Sequence, residues 1–262
     1  MAEPKPKRTP RLLTVRRAGH ISPTMIRVTL TADFVSDLPL GAEGANCKIF
    51  LPPKGEARAA FEARLETGPR PAVRTFTVRH IRHEDAEMDI DFVDHGDAGP
   101  ASAWARAAMP GSFLGFAGPS QPKLTEFYAD SYLVAADMSA IPVAAATLEA
   151  MPRDAKGLAL FEITDPGDTQ EIDAPEGVEM RWLPHPKPHV ASTQVVDIIR
   201  DLPPFKGRVQ TCIAGESSVI QALRAHLMND RQLDKKDAYI SGYWKIGLVE
   251  DEHQQMKRQL SA

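Results

Sequence analysis

Cysteine is scarce in this chain of 262 residues, where only Cys47 and Cys212 occur. Two thiols cannot build a disulfide framework, and they cannot supply an iron–sulfur or zinc site, so the composition fits a reducing cytoplasm. No stretch approaches the roughly 18 consecutive apolar residues that a membrane-spanning helix requires. The first residues are charged and lack the apolar core of a secretory leader. We therefore expect a cytoplasmic protein without membrane insertion.

An excess of basic charge is also missing. The chain has 31 Lys and Arg against 35 Asp and Glu, which gives a formal net charge of -4. Such a balance provides no overall positive field, so nucleic acid is not expected as the main partner. Any anionic ligand must instead be bound by local groups. The hydrophobic content of 43% is sufficient for a packed core.

Several signatures of common enzyme classes are absent. No G-x-G-x-x-G follows a predicted strand, which argues against an ordinary Rossmann dehydrogenase, and no strand-to-helix nucleophile elbow indicates a hydrolase. His185 and His189 have the spacing of a helical metal pair, but the prolines of the segment WLPHPKPHV forbid that helix. We assign no metal ligand and no catalytic side chain.

The apolar pattern divides the chain. Residues 1–11 are rich in Pro, Lys and Arg and are predicted to form a disordered tail. Residues 12–124 contain short apolar runs bounded by Gly, Pro and Asp, which is typical of strands. Alternation in MIRVTL indicates a strand with one solvated face, and PASAWARAAMPG predicts one short helix among the strands. This half favours a closed antiparallel barrel or a sandwich.

Residues 125–262 show a different pattern of apolar residues. Continuous apolar strands alternate with helical periods, which favours an α/β nucleotide-binding domain with a mostly parallel sheet. The segment WLPHPKPHV is interpreted as a loop. The last residues, LVEDEHQQMKRQLSA, are predicted to form a short polar helix.

The first candidate binding element is the strand RTFTVR. Alternation divides its residues between two faces: Arg74, Phe76 and Val78 on one, Thr75, Thr77 and Arg79 on the other. A ring can stack on a heterocycle, a guanidinium can fork onto phosphate, and a hydroxyl can reach a ring nitrogen. The pattern thus suits a flat anionic cofactor, although an ordinary strand with solvated arginines explains the same hexapeptide.

The second candidate is the segment HGDAGPAS, which lies between a predicted strand and the short helix. Glycines allow backbone amides to approach a ligand, and the unpaired amides at a helix start bind anions. A pyrophosphate would fit there. The alternative is a plain turn in which Ser102 or Asp97 caps the helix.

Five motifs in order resemble the siderophore-interacting protein family, FAD-dependent reductases related to ferredoxin reductases. RTFTVR resembles the family's Arg-x-Tyr-Thr-Val-Arg, and HGDAGPASAW its His-Gly-x-x-Gly-Pro-Ala-Ser-x-Trp. AADMSAIPVAA resembles Gly-Asp-Glu-Thr-Ala-Leu-Pro-Ala, although Ala stands for Gly and Ser for Thr. Ala-Gly-Glu occurs at 214–216, and GYWKIG resembles Gly-Tyr-Trp-Arg-x-Gly. The resemblance covers residues 12 to about 250 and implies an FAD-binding β-barrel followed by an NAD(P)H-binding α/β domain.

The resemblance also implies roles for individual residues. By this resemblance, Arg74 would bind FAD phosphate, and Phe76 would contact the flavin without the hydroxyl of the family's Tyr. Thr77 would hydrogen-bond the isoalloxazine, and Arg79 would support the phosphate or ribityl chain. The remaining cofactor-binding positions it implies are Val78, His95, Gly99, Ala101, Ser102, Asp137, Ser139, Ala140 and Trp244.

For the substrate, the resemblance implies an anionic ferric siderophore of the catecholate type. Basic side chains, here Lys48, Lys123 and Lys245, are expected to bind it, although each could be an ordinary solvated charge. NADPH or NADH, or alternatively ferredoxin, would supply electrons through FAD. Two other functions stay open: a flavin reductase that serves a quinone or protein acceptor, and a siderophore-binding protein without turnover.

Overall fold

The computed structural model of the chain describes residues 10–97 and 99–248. They form two compact units, one of residues 10–21 and 26–122 and one of residues 22–25 and 123–248. The predicted tail lies outside the described residues up to residue 9, and a strand already begins at Arg11. The predicted polar helix at the other end lies outside them from residue 249. No helix within the described ranges is long and apolar enough to cross a membrane.

The first unit is built on one antiparallel sheet. Its strands are β1 (Arg11–Ser22), β2 (Met25–Thr31), β3 (Asn46–Leu51), β4 (Ala72–Thr77), β5 (His80–Arg82), β6 (Glu87–Val93) and β7 (Phe113–Ala117). They are ordered β4-β3-β7-β1-β2-β6-β5. The end strands β4 and β5 are separated in sequence only by Val78 and Arg79, and the Arg79 amide donates to the Asp89 carbonyl of β6 at 2.9 Å. The two ends of the sheet therefore lie close together, as the predicted barrel requires, around core residues that include Leu13, Ile49 and Phe116.

Two helices accompany this sheet, where the sequence predicted one. The predicted helix is α2 (Pro100–Ala107), and the additional one is α1 (Arg58–Thr67). Phe61 is the one buried residue of α1, and its ring lies 5.7 Å from that of Phe113. A helix held by a single apolar side chain has no apolar stripe, which is why periodicity did not indicate it.

The solvated face predicted for MIRVTL is wrong. Met25 and Thr29 are 0% and 2% exposed, and the polar side chains of β2 pair with carboxylates of β6. Arg27 Nε donates to Asp91 at 2.7 Å, and the Thr29 hydroxyl donates to Asp89 at 2.6 Å. Polar alternation here marks a buried hydrogen-bonded ladder rather than a wet surface.

The second unit is a parallel sheet flanked by helices, as predicted. Its elements are β8 (Ser131–Asp137), α3 (Ile141–Ala150), β9 (Lys156–Ile163), β10 (Gly177–Pro184), α4 (Gln194–Asp201), β11 (Val209–Glu216), α5 (Ser217–Ala225) and β12 (Ala238–Trp244). The order is β10-β9-β8-β11-β12, and all four neighbouring pairs run parallel. The sequence missed the edge strand β10. Its last residues, Trp182 to Pro184, were assigned to a loop, yet an edge strand tolerates a terminal proline.

Candidate functional site

The strand RTFTVR lies at an end of the first sheet. Residues 74–77 belong to β4, whose one neighbour in the sheet order is β3. Arg74 and Phe76 are half-buried, whereas Thr77 and Arg79 are only 5% and 3% exposed. Thr75 is the register partner of Lys48 on β3, and the lysine ammonium donates to the threonine hydroxyl.

Val78 does not suit the predicted cofactor contact. Its side chain is fully buried in the barrel core. Its amide donates to the Ala45 carbonyl at 2.9 Å, and its carbonyl accepts from the Gly44 amide at 2.8 Å. Val78 therefore fixes the link between β4 and β5, and we leave it out of the proposed site.

An aromatic cluster connects the two candidate binding elements. The ring of Phe76 lies 4.4 Å from that of Phe92 in β6, and Phe92 lies 5.7 Å from Trp104 in α2. Both β4 and α2 thus pack on β6. Sequence analysis missed Phe92, although its place in the alternating run MDIDFV marks it as an inward-facing residue.

The loop before α2 is organised by Asp94, which sequence analysis also missed. Its Oδ1 accepts hydrogen bonds from the Gly96 amide at 3.0 Å, the Ser102 hydroxyl at 3.3 Å and Arg106 at 3.1 Å. Its Oδ2 lies 2.9 Å from His20 Nε2. An Asp followed two residues later by Gly is a typical Asx turn, and that pattern in DHG could have indicated the role.

The charged state of Asp94 follows from these contacts. Burial would raise the pKa of its carboxyl group, but hydrogen bonds from the Gly96 amide, His20 and Arg106 outweigh this and lower the pKa to about 2. The carboxylate is therefore ionised at neutral pH, and it holds the loop by charge-assisted hydrogen bonds.

The start of α2 differs from the predicted turn with a side-chain cap. Gly99, not Ser102 or Asp97, occupies the N-cap position, and it brings no side chain to the amides of Ala101 and Ser102. The Ser102 hydroxyl instead contacts Asp94 and accepts from the His95 amide at 3.2 Å. A Cβ at Gly99 would lie 2.7 Å from the His95 ring, so a larger residue there would require the exposed His95 side chain to move.

In the second unit, the predicted residues gather at the carboxyl ends of the parallel strands. The strand order reverses between β8 and β11, and ligands of such sheets bind at this switch point. Asp137 ends β8, and its carboxylate accepts from the Ser139 amide at 2.9 Å and from the Trp244 indole at 2.7 Å. Burial raises the pKa of the Asp137 carboxyl group despite these bonds.

The motifs AGE and GYWKIG are joined by a hydrogen bond at the same edge of the sheet. Glu216 accepts from the amides of Ser218 and Val219 at the start of α5 and from the Ile246 amide. These bonds outweigh burial and lower the pKa of Glu216. Gly215 has a φ of +150°, and a Cβ there would lie 2.6 Å from an Asp137 oxygen.

Three further predicted positions lie in this unit. Ala140 is 0% exposed. Its amide donates to the Asp137 carbonyl and its carbonyl accepts from two amides of α3, so we leave it out of the proposed site. Lys123 is exposed, and Lys245, directly after β12, is half-buried.

Comparison with known proteins places both units in one family. Residues 14–123 match the siderophore-interacting FAD-binding domain, and residues 129–247 match the siderophore-interacting protein domain. The ferric vibriobactin reductase ViuB of Vibrio cholerae is 34% identical over 251 residues, with 92% of each chain covered. The NADPH-dependent ferric-chelate reductase of Escherichia coli is 29% identical over 249 residues, which cover 89% of this chain and 92% of that protein.

Solved structures agree with this assignment. The siderophore-interacting protein SipS from Aeromonas hydrophila superposes with a TM-score of 0.82 at 31% identity, covering 98% of this chain and 99% of SipS. The match thus extends over both units and rests on sequence and backbone alike. The chain belongs to the siderophore-interacting protein family.

Proposed function

We propose that the protein is a ferric-siderophore reductase that takes electrons from NAD(P)H through FAD. Its similarity to ViuB and to the ferric-chelate reductase of Escherichia coli supports this reaction. The observation that carries the proposal is the packing of both candidate binding elements, β4 and α2, on the single strand β6.

The groups of the first unit fit FAD in their chemistry. The guanidinium groups of Arg74 and Arg79 suit a pyrophosphate, and so do the amides of Ala101 and Ser102 at a glycine-capped helix start. The partly open ring of Phe76 offers an apolar surface for a flat heterocycle.

When bound, FAD accepts a hydride from NAD(P)H and passes single electrons to Fe(III). The protein's share of the reaction is binding and orientation. Thr77 provides a hydrogen bond to the isoalloxazine, and the cluster of Phe76, Phe92 and Trp104 supplies an apolar wall that excludes water. His95 and Gly99 hold the pyrophosphate and adenosine side of the cofactor in this proposal.

NAD(P)H binds in this proposal at the carboxyl edge of the second sheet. Asp137, Ser139 and Trp244 are joined there by hydrogen bonds, so they act as one rigid group. Ferredoxin as an alternative electron donor would not need this edge.

The proposed substrate is an anionic, catecholate-type ferric siderophore. Lys48, which is exposed on the first unit, is one cation proposed to attract the siderophore. Lys123 and Lys245 are the cations proposed for this role on the second unit. Compact ammonium groups steer and select an anion without ligating its iron. Reduction to Fe(II) weakens the hold of the hard oxygen donors, so iron is released.

Anaerobic stopped-flow absorbance tests the reaction. We expect the purified, FAD-loaded protein to bleach with NAD(P)H and to be reoxidised by a ferric catecholate. In Lys48→Gln the siderophore concentration at half-maximal rate should rise by about threefold, as loss of one exposed charge predicts. Lys54→Gln, which removes another exposed charge, should leave it unchanged.

The alternatives give different traces. Flavin that is reduced but not reoxidised by the ferric complex would indicate another acceptor. Binding of the complex without any oxidation of nicotinamide would indicate a siderophore-binding protein, and a chain that cannot be loaded with FAD would contradict the site itself.

Asp94→Ala is expected to weaken FAD binding by about tenfold, because a half-buried acceptor of several hydrogen bonds is lost from the loop. Titration of apoprotein with FAD, followed by flavin fluorescence, measures this. The wild-type pKa of Asp94 lies below its ordinary value of 3.8, so the carboxylate contributes fully above that pH. Its contribution is lost as the pH falls through about 2, and the two proteins should converge there.

Asp97→Ala serves as the matched control. Asp97 is exposed in the same loop, and its ion pair with Arg106 is longer, at 3.5 Å. Equal losses in the two variants would mean that loop charge in general, rather than the contacts of Asp94, supports the site.

A further inference from the structure

The second sheet ends on one side at the strand β10. Among the described strands, β9 is the one neighbour of β10, and their parallel register runs continuously from Gly177 to Pro184. The opposite edge strand, β12, is irregular, because its register with β11 shifts between Gly215 and Glu216. Bulges protect sheet edges against pairing with another chain, whereas a regular edge favours such pairing. Within the described part of this sheet, β10 is therefore the edge better suited to a further strand.

The backbone of β10 shows which groups face outward. In a parallel pair, alternate residues of a strand direct both the amide and the carbonyl to the same neighbour. His185, directly after β10, donates its amide to the Ile163 carbonyl of β9 at 2.7 Å, so the odd-numbered residues of the strand face β9. Met180 and Trp182 therefore direct their amides and carbonyls away from the sheet. Within residues 10–97 and 99–248, no loop or side chain is hydrogen-bonded to either residue.

The outward groups at the two ends of β10 are already occupied. The Val178 amide donates to the Pro175 carbonyl at 3.0 Å. The Pro184 carbonyl accepts from the Gln194 side chain at 3.2 Å. The open part of the edge is thus its middle, centred on Met180.

The side chains in this middle part are exposed and carry opposite charges. Glu179, Met180 and Arg181 are all exposed. Alternation places Glu179 and Arg181 on one face of the sheet and Met180 on the other. The Arg181 guanidinium lies 2.7 Å from the Glu179 carboxylate, so this edge carries no net charge. A strand with the same two charges in reverse order would complement it.

A second copy of β10 supplies that order. In a two-fold antiparallel pair, opposing residues lie on the same face of the sheet, so the symmetry axis passes through one residue. An axis at Glu179 or at Arg181 places like charges opposite each other. An axis at Met180 places Glu179 opposite Arg181 of the second copy, twice, and Val178 opposite Trp182. It also aligns the outward amide and carbonyl of Met180 with those of its copy, as an antiparallel hydrogen-bonded pair requires.

We propose that this protein associates as a two-fold symmetric dimer through β10, so that its five-stranded parallel sheet continues into that of a second copy. The interface joins residues 177–183 of both copies in antiparallel register about Met180. Pairing of two short strands buries a small area, so we expect a weak dimer with a Kd on the order of 10–100 μM. The dimer does not depend on the proposed reductase function, because β10 contributes no residue to the proposed site.

Sedimentation velocity of the full chain, from about 1 μM to about 500 μM, measures the association. Glu179→Arg and Arg181→Glu each place like charges opposite each other at both symmetric positions, so each single variant should dimerise at least about tenfold more weakly. The double variant Glu179→Arg/Arg181→Glu reverses both charges and should dimerise as wild type does. Lys54→Glu, which reverses an exposed charge of the first unit, is the control and should also match wild type.

A mixture of the two single variants provides the sharpest test. Each chain carries the charge that the other lacks, so the mixture should form a heterodimer with a Kd close to that of wild type. A variant that merely fails to fold cannot recover in this way. Hydrogen exchange of wild type at low and high protein concentration locates the interface, because the amides of Met180 and Trp182 should exchange more slowly when the dimer forms.

The outcomes separate cleanly. Wild type that stays monomeric at every concentration overturns the proposed dimer and leaves the edge to another partner or to none. Association that both single variants retain overturns the register about Met180, and so does a mixture that fails to associate. Weakened association in each single variant, with recovery in the mixture and in the double variant, supports the dimer through β10.

Discussion

Substituting alanine for Gly215 is expected to destabilise the second unit by about 3 kcal/mol, a loss of roughly 10 °C in its melting temperature. Gly215 has a φ of +150°, which side chains rarely adopt. A Cβ would also lie 2.6 Å from the Asp137 carboxylate. Asp137 is held by Trp244 and Ser139 and cannot retreat without breaking those bonds. Differential scanning calorimetry measures the change.

Gly247→Ala separates the steric contact from the backbone cost. Gly247 also has a positive φ, +80°, but no atom lies within 4 Å of a Cβ placed there. This variant should lose only about 1 kcal/mol. Equal losses in both variants would show that the contact with Asp137 contributes little.

The fold could be predicted where periodicity reports burial directly. The strands of the barrel and the alternation of strands and helices after residue 125 follow from apolar runs, and both are found. Helix α1 and strand β10 could not be predicted in this way. Phe61 is the one buried residue of α1, and β10 lies at an edge where only Val178 is buried. Elements that bury little leave little pattern in the sequence.

The face of β2 shows a second limit. Arg27 and Thr29 look like solvated residues in the sequence, yet the half-buried Arg27 pairs with Asp91 and the buried Thr29 with Asp89. The pairing depends on which strand becomes the neighbour of β2, and that choice is a tertiary one. A polar residue in a strand therefore does not reveal whether water or a partner satisfies it.

The residues of the candidate site also fall into two groups, those that the sequence could single out and those that depend on tertiary contacts. Arg74 and Gly99 could be singled out because their residue types suit a cofactor, and Trp244 could be singled out only from the family resemblance. Asp94 and Phe92 could not be ranked in this way, because their importance comes from contacts made across strands and loops. The motifs indicate residues that we propose to face a ligand, whereas the contacts by which Asp94 and Phe92 hold these residues in place are found in the folded structure.

Arg74→Ala is expected to weaken FAD binding by between about 10-fold and 100-fold, because charge-assisted hydrogen bonds to a phosphate contribute roughly 1.5–3 kcal/mol. Arg74 is half-buried on β4, and its guanidinium already donates to the Val73 carbonyl at 2.9 Å. A side chain held in this way is pre-organised, so little entropy opposes binding. Fluorescence titration of apoprotein with FAD measures the affinity.

Two further variants distinguish geometry from charge. Arg74→Lys keeps the charge but loses the planar fork, so its affinity should lie between those of wild type and Arg74→Ala. Arg58→Ala removes an exposed arginine of α1 that contacts Thr14 and should bind FAD as wild type does. If Arg74→Ala is folded by circular dichroism and binds FAD with unchanged affinity, the phosphate of the cofactor does not reach β4. The pyrophosphate would then depend on the start of α2 alone, where Gly99 leaves the amides of Ala101 and Ser102 without a side-chain cap.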